Sequence, residues 1–288
     1  MKNWLLAARL KTLPAAISPV MLGSALAFHD DVFQAFIFIM TLLAAVLIQI
    51  GTNFANDVFD FQKGVDREDR LGPLRVTQAG LLLPETMKRS MWLIFSLAIC
   101  VGFYLANIGG WPIVFIGLAS IISGILYTGG PYPLGYHGWG DLFVFIFFGL
   151  IAVPGTYYLQ LGEVSSLSIW MGVIMGMLSN AILVVNNLRD ADTDKISGKK
   201  TLAVRFGKMF SKLQYSLLIL IPFLLPIHIW WYHENELSLI ITVFSLPIAF
   251  NLIRQIFSLL GSDLNKVLNR TARFLFIFTL LFSIGLII

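Results

Sequence analysis

Two short segments place carboxylate and amide side chains at the spacing of a helix face. The first carries Asn53, Asn56, Asp57 and Asp60 at positions i, i+3, i+4 and i+7, and the second carries Asn187, Asp190 and Asp194 at i, i+3 and i+7. Residues three or four apart lie on one side of a helix, so each set forms a stripe if its helix continues. Oxygen ligands without His or Cys favour a hard divalent cation, and Mg²⁺ usually takes one or two carboxylates together with phosphate oxygens.

Basic residues follow each stripe. Lys63, Arg67, Arg70 and Arg75 follow the first, and Arg189, Lys195, Lys199, Lys200 and Arg205 follow the second. Lys and Arg can bind phosphate oxygens directly, and Arg70, Arg75 and Lys200 are the strongest candidates for that contact. Residues 198–201 are not a Walker loop, because the upstream Gly is missing. Acids alternating with cations therefore predict a diphosphate site, whereas Asp66 and Asp192 are explained equally well as solvated loop residues.

The elements that carry these residues are apolar helices. The chain is 57% hydrophobic and 12% charged, with a mean hydropathy of +0.81, whereas about a quarter of the residues in a soluble domain are charged. About 20 apolar residues cross a bilayer as a helix, and the short alternating strands of a membrane barrel are absent from the sequence. We predict an all-α polytopic membrane protein with spans at 12–29, 33–56, 91–108, 111–128, 141–161, 167–188, 213–233, 237–257 and 271–288.

Charge divides the loops between the two membrane faces. All 20 Lys and Arg residues fall in the N-terminal segment and the even-numbered loops. The opposite side carries only acids, which are Asp30, Asp31, Glu163, Glu234 and Glu236. The positive-inside rule predicts that the N-terminus and both aspartate-rich segments are cytoplasmic in the cell membrane and that the C-terminus lies on the other side. The pI near 9.2 therefore reflects basic residues concentrated on one membrane face. The sequence has no run of basic residues interleaved with aromatic residues, so nucleic-acid binding is not predicted.

A weak internal repeat relates the two segments. A shift of 130 residues places Asn56, Asp57 and Asp60 over Asn186, Asn187 and Asp190. We therefore interpret residues 1–288 as a single domain with two similar halves, about 1–130 and 131–288.

The loop at 128–141 carries no Lys or Arg although it lies on the basic side, and it is rich in Gly, Pro and aromatic residues. This composition is typical of a lid or pocket wall, and also of a tight turn that needs Gly and Pro for backbone reasons. His137 can be structural or a base.

With these motifs in view, the sequence resembles the UbiA superfamily of intramembrane prenyltransferases. The core Asn56-Asp57-Val58-Phe59-Asp60 matches the first signature of that family, and Asp190-x-x-x-Asp194 matches the second. Within the superfamily, residues 56–66 and 70–80 are similar to the 1,4-dihydroxy-2-naphthoate polyprenyltransferases of menaquinone synthesis. The resemblance implies nine transmembrane helices around a central cavity that opens sideways to lipid.

The resemblance also implies an activity and a site. The activity is Mg²⁺-dependent transfer of a polyprenyl chain from a polyprenyl diphosphate to 1,4-dihydroxy-2-naphthoate, with loss of CO₂ and formation of demethylmenaquinol. Asp57, Asp60, Asp190 and Asp194 are the implied catalytic and metal-binding residues. The predicted substrate-binding residues are Asn53, Asn56, Lys63, Arg70, Arg75, Gln78, Tyr132, Tyr136, Asn187 and Lys200.

Two departures from the benzoate-using branch of the superfamily adjust this assignment. Asp66 follows Asp60 by six residues instead of four, so Asp66 is left out of the predicted ligands. A Tyr-x-x-x-Lys element reads Tyr132-Pro-Leu-Gly-Tyr136 here. Without the lysine, the expected role of Tyr132 and Tyr136 moves toward contact with the acceptor.

Two alternatives remain open on the sequence alone. Another aromatic acceptor, such as 4-hydroxybenzoate or homogentisate, suits the same motifs. A cation-coupled transporter also uses polar residues and internal repeats, although its sites lie near the membrane midplane, whereas these acids lie at one face beside cations. Donor chain length and oligomeric state are not encoded in any recognisable motif.

Overall fold

The computed structural model describes residues 2–65, 71–227 and 236–288, which contain helices and no strand. The helices are α1 (Lys2–Ala8), α2 (Leu13–His29), α3 (Ala35–Gln62), α4 (Pro84–Leu126), α5 (Gly140–Phe145), α6 (Ala152–Leu161), α7 (Ser166–Ile196), α8 (Leu202–Leu220), α9 (Leu246–Ser258) and α10 (Leu264–Ile287). A π-helical turn at Ile146–Ile151 joins α5 to α6, and a 3-10 helix at Glu236–Ser245 precedes α9. The predicted all-α membrane fold is confirmed.

Eight helical segments in the described ranges are long and apolar enough to cross a membrane. One of them, α4, has 43 residues, which is about 65 Å at a rise of about 1.5 Å per residue. This length is about twice the hydrocarbon thickness of about 30 Å. Gly110 interrupts α4 with a φ of 66° and a ψ of −156°, a conformation that glycine adopts without a steric penalty. The two halves of α4 correspond to the predicted spans 91–108 and 111–128.

Packing against α3 indicates that α4 folds back on itself at Gly110. Ile37, near the start of α3, clusters with Leu105 and Ile113 from either side of the break. Phe54, near the end of α3, clusters with Phe95 and Ile121, which lie further from it. The halves of α4 therefore run in opposite directions along α3, and eight apolar segments provide the nine predicted crossings.

The predicted spans differ from the helices mainly at the membrane surface. The span predicted at 33–56 continues to Gln62 in α3, and the span predicted at 167–188 continues to Ile196 in α7. Both polar stripes are therefore helical throughout, as their spacing predicted. The span predicted at 213–233 corresponds to a segment beginning at Leu202, and its end at 233 lies outside the described residues.

Helix α7 lies at the centre of the second half and packs against α5, α6, α8 and α10. Its approach to the α5–α6 segment is very close at Gly149. A Cβ atom there would lie 2.4 Å from the carbonyl oxygen of Gly172 and 2.6 Å from the Cα of Gly176. Small residues let membrane helices approach closely, so this contact fixes the distance between α7, which carries the second acidic stripe, and the loop before α5.

Candidate active site

The ends of α3 and α7 open onto a polar cavity of about 790 Å³. Its acidic lining residues in the described chain are Asp60, Asp190 and Asp194. Its basic lining residues are Lys2, Arg9, Lys11, Arg75, Arg189 and Lys199. Both stripes therefore contribute to one cavity, and its wall contains both negatively and positively charged side chains.

Asp60 is 2% exposed and is held by donors from two other segments. The Arg75 guanidinium donates to Oδ2 at 2.7 Å, and the Tyr136 hydroxyl donates to Oδ1 at 2.6 Å. A buried carboxylate is costly unless it is paired and hydrogen-bonded. These contacts satisfy both oxygens of the Asp60 carboxylate and fix its orientation at the cavity wall.

Asp57 lies on the same helix but has a different environment. It is 1% exposed and accepts hydrogen bonds from the backbone N–H groups of Thr77 at 3.0 Å and Val76 at 3.3 Å. Its side chain is absent from the described lining of the cavity. Asp57 therefore fastens the turn that carries Arg75, and Arg75 then reaches Asp60.

In the second stripe, Arg189 holds the carboxylate of Asp190. The Arg189 Nε donates to Asp190 Oδ1 at 2.8 Å, and its Nη2 donates to Oδ2, so the contact is bidentate. The remaining guanidinium contacts go to the side-chain oxygens of Asn186 and Asn265, each at 2.8 Å. Asp194, one turn further, lies 3.7 Å from the Lys199 ammonium.

Cations and backbone donors fix the loop at 128–141. The Lys63 ammonium donates to the carbonyl oxygens of Thr128 at 2.7 Å and Gly130 at 2.9 Å. The backbone N–H of Lys200 donates to the Tyr136 carbonyl at 2.6 Å, and Arg205 donates to the His137 carbonyl at 2.8 Å. The loop is thus tied to both acidic segments and forms part of the cavity wall.

The Tyr136 ring lies between two cations. The ammonium groups of Lys63 and Lys199 lie 5.1 Å and 4.6 Å from its centroid, within the range of a cation–π contact. Desolvation lowers the pKa of Lys63, and repulsion by Lys199 acts in the same direction against the attraction of Asp60. Tyr136 therefore joins cations from both segments to the Asp60 carboxylate.

An apolar cavity of about 570 Å³ adjoins the polar one. Ile99, Phe103 and Leu118 line it and are 40%, 67% and 47% exposed, so the cavity reaches the lipid-facing side of the helices. The lining residues shared by both cavities are Ala15, Gln49, Asn56, Tyr127, Val144 and Phe148. The polar site is therefore continuous with an apolar space.

Tyr127 stands at the junction of the two cavities. Burial raises its pKa well above the ordinary value, and the negative charges of Asp141, Asp60 and Asp194 act in the same direction. The phenol consequently stays protonated near neutral pH. Tyr127 can donate a hydrogen bond at this junction.

The predicted site residues fall into two groups by position. Those in the wall of the polar cavity are Asn56, Asp60, Arg75, Tyr136, Asn187, Asp190 and Asp194. Those absent from its described lining are Asn53, Asp57, Lys63, Gln78, Tyr132 and Lys200, and Arg70 lies outside the described residues, as does Asp66. The acids of both stripes therefore meet at one cavity, whereas several of the predicted substrate-binding residues lie outside its wall.

Asn53 and Tyr132, which lie outside the cavity, have contacts that support the surrounding structure. Asn53 donates to the Ala8 carbonyl and to the Thr12 hydroxyl, each at 3.0 Å, and so fixes the start of α2 against α3. Tyr132 is 55% exposed and stacks on His137 with a centroid distance of 3.6 Å. The His137 Nδ1 lies 2.9 Å from the Pro133 carbonyl, to which it can only donate, so this ring belongs to the loop framework.

Sequence reasoning did not single out several residues of the cavity. Arg9 lies in its wall with a left-handed φ of 50° at the break between α1 and α2, and Gln49 and Tyr127 lie where the cavities meet. Arg189 was counted only as one of many cations, and Asn265 was not considered. The adjacency of Arg189 to Asp190 is the single signal that was available, because the other contacts join distant parts of the chain.

The acids suit a divalent cation only in combination with a ligand. Among the described residues no group of three or more His, Cys, Asp or Glu side chains is close enough to hold a metal ion by itself. Asp60, Asp190 and Asp194 nevertheless face one cavity with buried carboxylates and no nitrogen or sulfur ligand beside them. This donor set fits Mg²⁺, which keeps several water or phosphate oxygens in its coordination shell.

Comparison with known proteins identifies the family. Residues 16–285 match the family model described as the UbiA prenyltransferase family. The chain belongs to the UbiA prenyltransferase family. It is 34% identical over its whole length to a 1,4-dihydroxy-2-naphthoate octaprenyltransferase of Haemophilus influenzae, of which the match covers 96%. It is 38% identical to the enzyme of the same name from Escherichia coli, over 75% of this chain and 72% of the relative.

Solved UbiA structures have the same fold. The apo structure of a UbiA homologue from Aeropyrum pernix K1 superimposes with a TM-score of 0.73 at 15% identity, covering 97% of this chain and 98% of the other. A UbiA homologue from Archaeoglobus fulgidus, solved with GPP and Mg²⁺, superimposes with a TM-score of 0.71 at 17% identity over 99% of both chains. The UbiA fold is therefore shared at low sequence identity, and the chain is an integral membrane prenyltransferase.

Proposed function

We propose that this UbiA-family enzyme transfers a polyprenyl chain from its diphosphate to 1,4-dihydroxy-2-naphthoate, releasing diphosphate and CO₂ and giving demethylmenaquinol. The continuity of the charged cavity with the apolar cavity is the observation that carries this proposal. The charged cavity suits the diphosphate end of a prenyl diphosphate, and the adjoining apolar cavity suits its hydrocarbon chain. The relatives that bear this activity in their names, over most of the chain, support the choice of acceptor.

The charged end of the donor fits the wall formed by both stripes. Asp60, Asp190 and Asp194 would hold Mg²⁺, which would neutralise the diphosphate and make it a better leaving group. Arg75 and Lys199 lie in the same wall, where they can bind phosphate oxygens. Asn187 lies in the same wall and is a proposed contact of the donor. Lys200 and Arg70 are proposed contacts from the sequence pattern.

The reaction needs the leaving group to be stabilised and water to be excluded. The bond between the allylic C1 and the diphosphate oxygen breaks, and its electron pair leaves with the diphosphate. The electron-rich ring of the acceptor supplies the pair for the new carbon–carbon bond, and loss of the carboxylate as CO₂ restores the aromatic ring. The apolar cavity keeps water away from the allylic carbon, and the protonated Tyr127 phenol lies where the two cavities meet.

The membrane orientation follows from the charge distribution. The cavity wall is rich in Lys and Arg, and the positive-inside rule places such a face in the cytoplasm. We therefore propose that the donor and the acceptor enter the site from the cytoplasmic side of a bacterial cell membrane.

The experiment compares three acceptors in membranes that contain this protein. A radiolabelled polyprenyl diphosphate is incubated with Mg²⁺ and, separately, with 1,4-dihydroxy-2-naphthoate, 4-hydroxybenzoate or homogentisate. We expect a prenylated product from the naphthoate alone, with diphosphate and CO₂ released in equal amounts. Transfer to another acceptor in preference to the naphthoate would contradict the proposal, and uptake without any covalent product would favour a transporter.

A pair of variants on α7 ties the activity to the cavity. Asp190 lies in its wall, whereas Asp192 is exposed and pairs with Lys208 at 2.7 Å. We expect Asp190→Asn to lower prenyl transfer by about 10²-fold or more, the scale at which loss of one electrostatic contact to the reacting groups acts. Asp192→Asn makes the same chemical change two residues away and should retain wild-type turnover.

A further inference from the structure

A chain of hydrogen bonds joins the second aspartate-rich segment, through a third helix, to the loop that follows the first. Asn265 lies in the first turn of α10 and in the wall of the polar cavity. Its Oδ1 accepts from the Arg189 guanidinium at 2.8 Å, and its Nδ2 donates to the Leu71 carbonyl at 2.8 Å. Arg189 in turn holds Asp190, and Leu71 belongs to the loop between the first stripe and Arg75.

The chemistry of the two partners fixes which way the Asn265 amide points. A guanidinium can only donate and a backbone carbonyl can only accept, so the amide oxygen must face Arg189 and the amide nitrogen must face Leu71. An aspartate at this position could serve the first partner but would present an oxygen to the Leu71 carbonyl. The two contacts can therefore be separated by substitution.

By holding Arg189, Asn265 also affects the position of Asp190. Arg189 is 3% exposed, and its guanidinium bonds to both oxygens of Asp190 as well as to Asn186 and Asn265. A planar guanidinium with fixed donors transmits the position of one partner to the others. Asn265 thus relates the backbone of the loop after the first segment, which leads to Arg75, to the orientation of the Asp190 carboxylate.

We propose that Asn265 is a positioning residue that holds the two aspartate-rich segments in register for the diphosphate end of the donor. The inference rests on the proposed function, because it takes that cavity as the donor diphosphate site. Both segments must present their acids to one ligand, and Asn265 bonds to Arg189 of the second segment and to Leu71 in the loop that follows the first. Loss of the link weakens binding of the charged end of the donor and leaves the acceptor unaffected.

The test uses binding as well as turnover. The full-length protein in detergent or nanodiscs is titrated with inorganic pyrophosphate in the presence of Mg²⁺, and the rise in thermal unfolding temperature reports binding without any reaction. We expect Asn265→Ala to weaken this binding about tenfold and to raise the KM for the prenyl diphosphate by a similar factor. The KM for the aromatic acceptor should stay within about twofold of the wild-type value.

Asn265→Asp tests whether Asn265 must contact both Leu71 and Arg189 or only Arg189. This variant keeps an acceptor for the guanidinium and loses the donor to Leu71, so coupling predicts weakened binding. Asn269→Asp supplies the baseline for added charge, since Asn269 lies one turn further along α10 in the same cavity wall. We expect Asn265→Asp to weaken pyrophosphate binding several-fold more than Asn269→Asp.

Two results would overturn the proposal. One is wild-type pyrophosphate binding by Asn265→Ala, and the other is an Asn265→Asp protein that binds no more weakly than Asn269→Asp. Asn251→Ala, at an exposed position of α9, controls for the loss of an amide from a helix. Failure of the proposed function would look different, because the wild-type protein would bind Mg²⁺ and pyrophosphate but form no prenylated product.

Discussion

The carboxylate of Asp57 accepts a hydrogen bond of 3.0 Å from the backbone N–H of Thr77, although Asp57 lies in the same motif as Asp60. The contact holds the turn that carries Arg75, and Arg75 bonds to Asp60. Two acids three residues apart therefore have different positions: Asp60 lines the cavity, and Asp57 supports the segment that pairs with it.

Asp57→Asn and Asp60→Asn should consequently fail in different ways. We expect Asp57→Asn to lower the free energy of unfolding by roughly 1.5–3 kcal/mol or more, since the amide can accept from only one of the two N–H groups and a hydrogen bond to a charged acceptor contributes about 1.5–3 kcal/mol. Asp60→Asn should be destabilised by about 3–5 kcal/mol, because it removes the carboxylate from a buried ion pair with Arg75. Thermal or denaturant unfolding in detergent measures both losses.

Ligand response distinguishes the two variants. The Asp57→Asn protein that remains folded should still be stabilised by Mg²⁺ together with inorganic pyrophosphate, whereas Asp60→Asn should lose that stabilisation. The wild-type protein and Asp192→Asn, whose carboxylate is exposed and bonded to Lys208, serve as references. Loss of the ligand response in both motif variants, at a temperature where both are folded, would place Asp57 among the metal ligands.

Tyr136→Phe should lower kcat/KM for the donor by about tenfold. The change removes a hydroxyl that donates to Asp60 at 2.6 Å, and a hydrogen bond to a charged group contributes about 1.5–3 kcal/mol. Tyr136→Ala should lose more activity, because it also removes the ring beneath Lys63 and Lys199. Steady-state prenyl transfer at varied donor concentration measures both effects.

A second tyrosine offers a matched control for that change. The Tyr158 hydroxyl donates to the Gly109 carbonyl at 3.1 Å, beside the break in α4 and away from the polar cavity. Tyr158→Phe should therefore retain donor kinetics close to those of the wild type. Equal kinetics for Tyr136→Phe and the wild-type protein would show that the hydroxyl contact with Asp60 is dispensable.

The sequence was sufficient to predict the helices and the polar stripes, because hydropathy and the helical repeat are local properties. The continuation of α3 and α7 through Asp60 and Asp194 followed from the spacing of the acids. The spacing did not predict that Asp57 and Asp60 have different surroundings, because the partner of Asp57 is a turn 20 residues further along the chain. A stripe that covers an arc of about 100° or more of the helix surface is wide enough for Asp57 and Asp60 to face different segments of the chain.

Contacts between distant segments had no signal in a single sequence. Asn265 and Leu71 are separated by 194 residues, and Asn265 belongs to none of the motifs identified in the sequence. The family resemblance implied a central cavity, but its apolar lining residues could not be predicted, because side chains such as Ile99 and Leu118 are of the same type as those on any lipid-facing surface. The organisation into two similar halves, inferred from the 130-residue shift, stays a prediction.

Gly149→Ala should destabilise the protein by about 1–3 kcal/mol or more, the range for added volume in a close-packed interior. A Cβ there would lie 2.4 Å from the Gly172 carbonyl oxygen, so α7 would have to move away from the α5–α6 segment. Gly155→Ala is the control, because its Cβ would meet only Ile116 at 3.9 Å. Unfolding temperatures that fall equally in both variants, or in neither, would contradict the packing argument.

Gly117→Leu should shorten the prenyl chain that the enzyme accepts. Gly117 lines the apolar cavity, and a Cβ added there would meet no atom within 4 Å, so a side chain can begin at this position without displacing a neighbour. It would occupy space otherwise open to the distal part of a long chain. Competition between a C₄₀ and a C₁₀ diphosphate should move toward the shorter donor by about tenfold or more, since tenfold is about the lower end of discrimination by an apolar pocket.

Ala119→Leu provides the matched control on the same half of α4. Ala119 is exposed and absent from the described lining of the apolar cavity, so the added side chain would project toward lipid. This variant should keep the donor preference of the wild-type protein and a similar unfolding temperature. An unchanged preference in Gly117→Leu, with protein that is folded and active, would mean that the chain leaves the polar cavity by a different route.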